Sequence, residues 1–131
     1  VADVFASGLL SLNFINALIF ISENLGLLAV GIGVVMVILI FLSAMIMGSG
    51  NAAFFSFGPI APEITQRFNL QAIDFILPMN FAASMGRTVS PVSGVLIATA
   101  EIAQVSTMQI VKRNIVPMLA ALFVMLIYHF I

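Results

Sequence analysis

The 131 residues include no cysteine and no tryptophan, a single histidine, and only five acidic and four basic side chains. Without thiols there are no disulfides, thiol nucleophiles or thiolate metal sites, and the redox compartment cannot be read. A formal net charge of −1 leaves no basic footprint for nucleic acid. There is no HExxH, no paired His/Asp cluster and no Walker-type loop, so protease and ATPase chemistry have no visible carrier. His129, two residues from the end, offers no metal or catalytic constellation. The scarcity of charge decides most. Soluble domains carry about 25% charged residues, whereas this chain is 7% charged and 63% hydrophobic. So few ionic groups cannot cover a globule in water, which excludes a soluble enzyme and a disordered tail. The solvent is a bilayer, and membrane lipid is the first partner.

What is present is a series of apolar runs. A crossing needs about 20 residues at about 1.5 Å each. Val4 to Ile21 meets that length and ends in Ser22-Glu23-Asn24; Leu25 to Met47 is uncharged throughout. After Gly48-Ser49-Gly50-Asn51 comes a shorter stretch, Ala52 to Ile64, broken by Gly58-Pro59 and Pro62-Glu63. Residues 72–104 are apolar around Gly86-Arg87-Thr88-Val89-Ser90-Pro91, and the chain ends in an apolar helix over 114–131, whose Pro117 is expected in the first turn. As one helix 72–104 would measure about 50 Å, and its halves about 20 Å each, so a single crossing broken in the middle is expected. Residues 52–66 span only about 22 Å, the length of the return arm of a re-entrant hairpin over 25–66. Leu25–Met47 is either its other arm or a full crossing. The expected fold is thus an all-α membrane protein: a crossing at 4–21, the hairpin, the broken helix and a last crossing. Opening on Val1 without a basic leader, the chain is expected to be a C-terminal piece or split subunit of a longer protein. Lys112-Arg113, the one basic pair, places 105–113 in the cytoplasm and Arg67 outside.

Two polar islands can carry chemistry. Nonhelical backbone at membrane depth persists only when packed in protein or lining a wet cavity. Pro91 deprives the Arg87 carbonyl of its helical donor, Gly86 tolerates unusual backbone angles, and the helix restarting near Val92 has Ser90 or Ser93 as its cap. Freed carbonyls suit a small cation, and freed N–H groups suit a carboxylate. Arg87 at mid-bilayer costs about 2.5–3.5 kcal/mol on insertion scales and marks a pathway or an ion pair. In the second island Ser49 or Asn51 can cap the arm that starts at Ala52. Two helix N-termini and Arg87 in one cavity would suit a ligand with two negative groups.

Three strings, GSGNAAFFSFGPIAPEI, LPMNFAASMGRTVSPVSGVLIATA and IVKRNIVP, resemble the C-terminal end of the DcuC family of anaerobic C4-dicarboxylate carriers. The resemblance runs in order from Gly48 to Pro117; upstream it is hydropathy alone. It implies half of an inverted-repeat transporter, with the N-terminal repeat missing and required as a partner. It also implies uptake or exchange of small dicarboxylate anions (fumarate, succinate, malate, aspartate) across the bacterial inner membrane by alternating access, with no enzymatic activity and no cofactor. Carried onto this sequence, the substrate residues are Ser49, Gly50, Asn51, Arg87, Thr88, Ser90 and Ser93. A coupling sodium ion would sit around Ser49, Asn51, Gly86 and Ser90. Relatives carry Ser-Asn-Thr at the tip; here Ser49-Gly50-Asn51-Ala52 has an inserted glycine and no threonine, a departure that bears on sodium coupling. A homodimer is compatible with the pattern. The rival readings are a structural or assembly subunit, a channel, and a carrier for another small anion. Saturable uptake separates a carrier from a non-saturating channel and an inert subunit.

Overall fold

A computed structural model describes residues 29–130 together with Val4, Ser7, Gly8, Asn16, Ala17 and Phe20. Apart from those isolated positions, the crossing expected at 4–21 lies outside the described residues. Among the described residues the regular elements are helical and none is a strand. They are α1 (Ala29–Met47), α2 (Gly50–Phe57), a 3₁₀ turn (Gly58–Ile60), α3 (Ala61–Phe68), α4 (Ile73–Thr88), α5 (Gly94–Ile102) and α6 (Thr107–Phe130). Among the described residues, two segments are long and apolar enough to cross a membrane, Val30–Met47 and Thr107–Phe130.

α1 has no charged residue and is apolar all round. Ile32, Met36, Ile40 and Ala44, one turn apart, are buried with Val37 and Phe41, while Ile38, Leu42 and Ile46 are exposed on the other side. A helix with apolar residues on both faces suits protein on one side and lipid on the other. α4 answers with Phe75, Met79, Ala82 and Ala83, also buried. The small residues Ala82 and Gly86, four apart, let the two backbones approach closely. A Cβ built on Gly86 would run into the carbonyl of Phe41, with Ala44 beside it.

These contacts fix the directions of the helices. Near their beginnings, a Cβ on Gly33 of α1 would lie 3.5 Å from the Phe75 ring of α4. Near their ends, Gly86 meets Phe41, so α1 and α4 run parallel. Phe130, at the end of α6, lies against Gly33 and makes an edge-to-face contact with Phe75, ring centroids 6.4 Å apart. α6 therefore runs antiparallel to both. It is lightly covered: Val116, Leu119, Phe123 and Val124 are exposed.

Helix ends follow local chemistry. α3 and α5 close on left-handed Asn69 (φ 54°) and Gln104 (φ 53°). In each case the next N–H reaches back to a carbonyl of the last turn, Leu70 to Thr65 at 2.9 Å and Val105 to Ala100 at 3.0 Å, which satisfies groups the helix leaves open. Glu63 and Arg67 occupy the first and last turns of α3, the favourable order for the helix dipole, and form a half-exposed pair at 3.6 Å. The last helix begins earlier than its sequence suggests. Ser106 Oγ accepts the Gln109 N–H at 3.3 Å, α6 starts at Thr107, and Lys112 and Arg113 ride on the helix. Pro117 is accordingly interior, not in the first turn.

Candidate functional site

Between α1 and α2 the chain turns on Gly48, whose φ of +69° is strained for any residue with a Cβ. Ser49 then caps α2, its Oγ accepting the Ala52 N–H at 3.3 Å. The second island interrupts the apolar run at residues 89–93, between α4 and α5. Pro91 cannot supply a donor, yet the Arg87 carbonyl is not left bare. The Ser90 N–H closes onto it at 3.2 Å, one residue tighter than an α-helical bond, and the Val89 N–H does the same to Gly86 at 3.2 Å. The two candidate caps divide the work differently from either expectation. Ser90 is fully buried and its Oγ accepts the Val92 N–H at 3.3 Å. Ser93 occupies the N-cap position of α5 but makes no side-chain capping bond.

The two islands meet. A Cβ on Gly48 would stand 2.9 Å from the Val92 carbonyl oxygen and 3.1 Å from the Ser93 nitrogen, and one on Gly50 would stand 2.8 Å from the Ala83 carbonyl oxygen. With Gly86 against Phe41, three glycines bring the turn and the break into backbone contact. Of the sequence-predicted residues, Ser49, Gly50, Gly86, Ser90 and Ser93 belong to this contact zone. Asn51 is exposed on the first turn of α2, and Arg87 and Thr88 are exposed on the last turn of α4. The α4 C-terminus is a favourable place for a cation. Among the described residues the Arg87 guanidinium has no ion-pair or hydrogen-bond partner. Asn80, Ser84 and Arg87 recur at helical spacing on one exposed face of α4, and Asn80 and Ser84 line a surface cavity of about 350 Å³.

A second cavity, of about 180 Å³, opens on the α6 side of the break, where Thr88, Ser93, Thr99 and Asn114 are its polar walls. Thr99 and Asn114 were not among the sequence candidates. Asn114 sits at the edge of the last apolar run and resembles an ordinary boundary residue there; nothing in its spacing links it to Ser93. Thr88 and Thr99 donate their hydroxyl protons to the Ser84 and Val95 carbonyls, at 2.9 and 2.8 Å, as hydroxyls in apolar helices commonly do. Among the described residues no cluster of His, Cys, Asp or Glu could hold a metal ion. The oxygens named for a sodium ion are neutral, and two of them, Ser49 Oγ and Ser90 Oγ, already accept backbone N–H groups.

Comparison with known proteins places this sequence in a family. The Escherichia coli (strain K12) anaerobic C4-dicarboxylate transporter DcuC is 39% identical over 126 residues, 96% of this chain and 27% of its own length. The Shigella flexneri transporter of the same name matches to the same extent. A DcuC-named relative in Vibrio cholerae is 38% identical over 126 residues, covering 96% of this chain and 28% of the relative. The chain thus spans about a quarter of the length of these relatives. No solved structure matches it. The family model described as C4-dicarboxylate anaerobic carrier matches residues 1–131, and the chain, a membrane protein, belongs to that DcuC family of transporters.

Proposed function

We propose that this chain is the part of a secondary carrier that binds C4 dicarboxylates, working in the bacterial inner membrane by alternating access. Its turn at Gly48–Asn51 is the tip of a re-entrant hairpin and residues 89–93 are the break of a discontinuous crossing. The observation that carries this reading is the backbone contact between the two islands, Gly48 against Val92 and Ser93. Polar, nonhelical backbone in an apolar protein is stable where it surrounds a wet cavity, and here two such segments share one place.

Depth supports the hairpin. Asn114 lines the cavity at the break, seven residues into the 24-residue α6. At about 1.5 Å per residue, the break then lies about 10 Å from the start of α6 and about 24 Å from its end. α1 runs from the level of Phe130 to that of the break, so it stops short of the far end of α6, as the arm of a re-entrant hairpin does. The helix N-termini of α2 and α5, and Arg87, which has no partner among the described residues, supply positive character. The relatives are named as anaerobic C4-dicarboxylate transporters, and a dianion of that size suits the charge. An N-terminal inverted repeat completes the carrier, a sodium ion is the coupling ion that the neutral oxygens around Ser49 and Ser90 would hold, and Lys112-Arg113 faces the cytoplasm.

The test is uptake of labelled succinate into vesicles holding the full-length protein. Saturable uptake accelerated by dicarboxylate on the opposite side supports the carrier. Linear, non-saturating flux indicates a channel, and no flux with intact protein indicates a structural subunit.

A further inference from the structure

The cleft between α5 and α6 has an unusual donor inventory. Ser93 is 2% exposed, and among the described residues its hydroxyl has no hydrogen-bond partner. Among the described residues no sealed side-chain nitrogen or oxygen lacks a partner, so the Ser93 hydroxyl, on a residue that lines the cleft, keeps open surface and is free to take a ligand atom. Asn114, half-buried across the cleft, likewise has no partner among the described residues, although it lies inside a segment fit to cross the membrane. An amide in that position is costly unless it meets another polar group. Thr88 and Thr99 have spent their protons on helix carbonyls. The donors that remain are the Ser93 O–H, the Asn114 NH₂ and the first-turn N–H groups of α5. Ile97 is the first N–H of α5 with a backbone acceptor, bonding Ser93 at 2.9 Å. The cleft of about 180 Å³ is equivalent to about six liquid waters.

We propose that this cleft receives one carboxylate of the ligand, with Ser93 and Asn114 as its donors, which makes the last helix part of the binding site. The assignment rests on the carrier reading above and extends it to a helix that neither island contains. The positive end of the α5 dipole favours an anion over a cation here. Because the donors are neutral, the carboxylate is held without an opposing full charge and can leave again. Arg87, next in sequence to Thr88 and unpaired among the described residues, is left for the other carboxylate.

The experiment uses the full-length carrier in vesicles, with Asn114→Ala, Asn114→Ser and Asn114→Asp compared at equal amounts of inserted protein. Asn114→Ala should raise the succinate KM about tenfold, the factor lost with one hydrogen bond to a charged group. Inhibition by butyrate, which has one carboxylate and can use Arg87 alone, should stay unchanged. Asn114→Ser keeps a donor and should recover part of the affinity. Asn114→Asp keeps the size, adds a negative charge and should bind succinate worst of the three. A succinate KM within twofold of wild type in all three variants overturns the assignment. So does a shift confined to the sodium concentration for half-maximal uptake, which would make the cleft a cation site. Wild-type vesicles without dicarboxylate uptake bring down the carrier reading and this one with it. Normal wild-type uptake that responds to Arg87→Lys but not to any Asn114 variant removes the cleft alone.

Discussion

Gly48 lies so close to Val92 that a single added carbon would stand 2.9 Å from the Val92 carbonyl oxygen. The same glycine has a φ of +69°. A side chain there meets two penalties at once. The left-handed conformation alone costs about 1–2 kcal/mol for a residue with a Cβ, and the neighbour is backbone, which cannot rotate away.

Gly48→Ala should therefore lower the melting temperature of the detergent-solubilised carrier by several degrees and reduce its transport. Gly94→Ala is the control. Nothing lies within 4 Å of a Cβ at Gly94, the first residue of α5, so that substitution should be neutral or slightly stabilising. Equal melting curves for Gly48→Ala and wild type would show that turn and break are not in contact.

Arg87 should show its role in affinity. A guanidinium grips a carboxylate with two parallel hydrogen bonds, which an ammonium does not reproduce. In full-length protein Arg87→Lys should raise the succinate KM by about 10- to 150-fold, the equivalent of about 1.5–3 kcal/mol. Arg87→Ala should nearly abolish uptake while leaving insertion intact, since removing a charge eases entry into the bilayer. Near-normal KM and rate in Arg87→Ala would leave Arg87 as one half of a structural ion pair.

Orientation can be read with cysteine reagents. A cysteine at Lys112 should react with membrane-permeant reagents only, and one at Arg67 with impermeant reagents added from outside. The reverse pattern would invert the topology and place α6 with its start outside.

The proposed hairpin tip is tested by protection. If the turn borders the substrate site, as proposed, single cysteines at Ser49 and Asn51 should react more slowly when succinate is present. Labelling that is rapid and indifferent to succinate would make Gly48–Asn51 a surface turn.

Much of this was legible in the chain because apolar sequence makes its interruptions conspicuous. The Gly-Ser-Gly-Asn and Gly-Arg-Thr-Val-Ser-Pro strings stand out as places where a helix must stop, and the helices stop there: α1 at Met47 and α4 at Thr88. Glu63 and Asp74 stand in the first turns of α3 and α4, where the helix dipole favours a negative charge. Less was legible where the outcome depends on which groups come together in space. That Ser90 bonds Val92 while Ser93 stays unbonded follows from the fold of five residues around Pro91, for which the two serines are equivalent in sequence. Asn114 reads as the boundary of an apolar run, and only the antiparallel return of α6 carries it to the break. The early start of α6 turns on Ser106, one polar residue in a polar stretch, whose capping bond draws Lys112 and Arg113 into the helix.

The three glycine contacts also constrain movement. Side chains can slide past one another by changing rotamer, but backbone pressed on backbone has no such slack. Gly48 on Val92, Gly50 on Ala83 and Gly86 on Phe41 tie α1, the turn, α4 and the break at three points. A carrier that exposes its cargo first to one side and then to the other must move something, and these close backbone approaches leave little slack where they occur. On the proposed carrier reading, the turn and the break are expected to move together, with the hinges in segments that hold them to the rest of the protein.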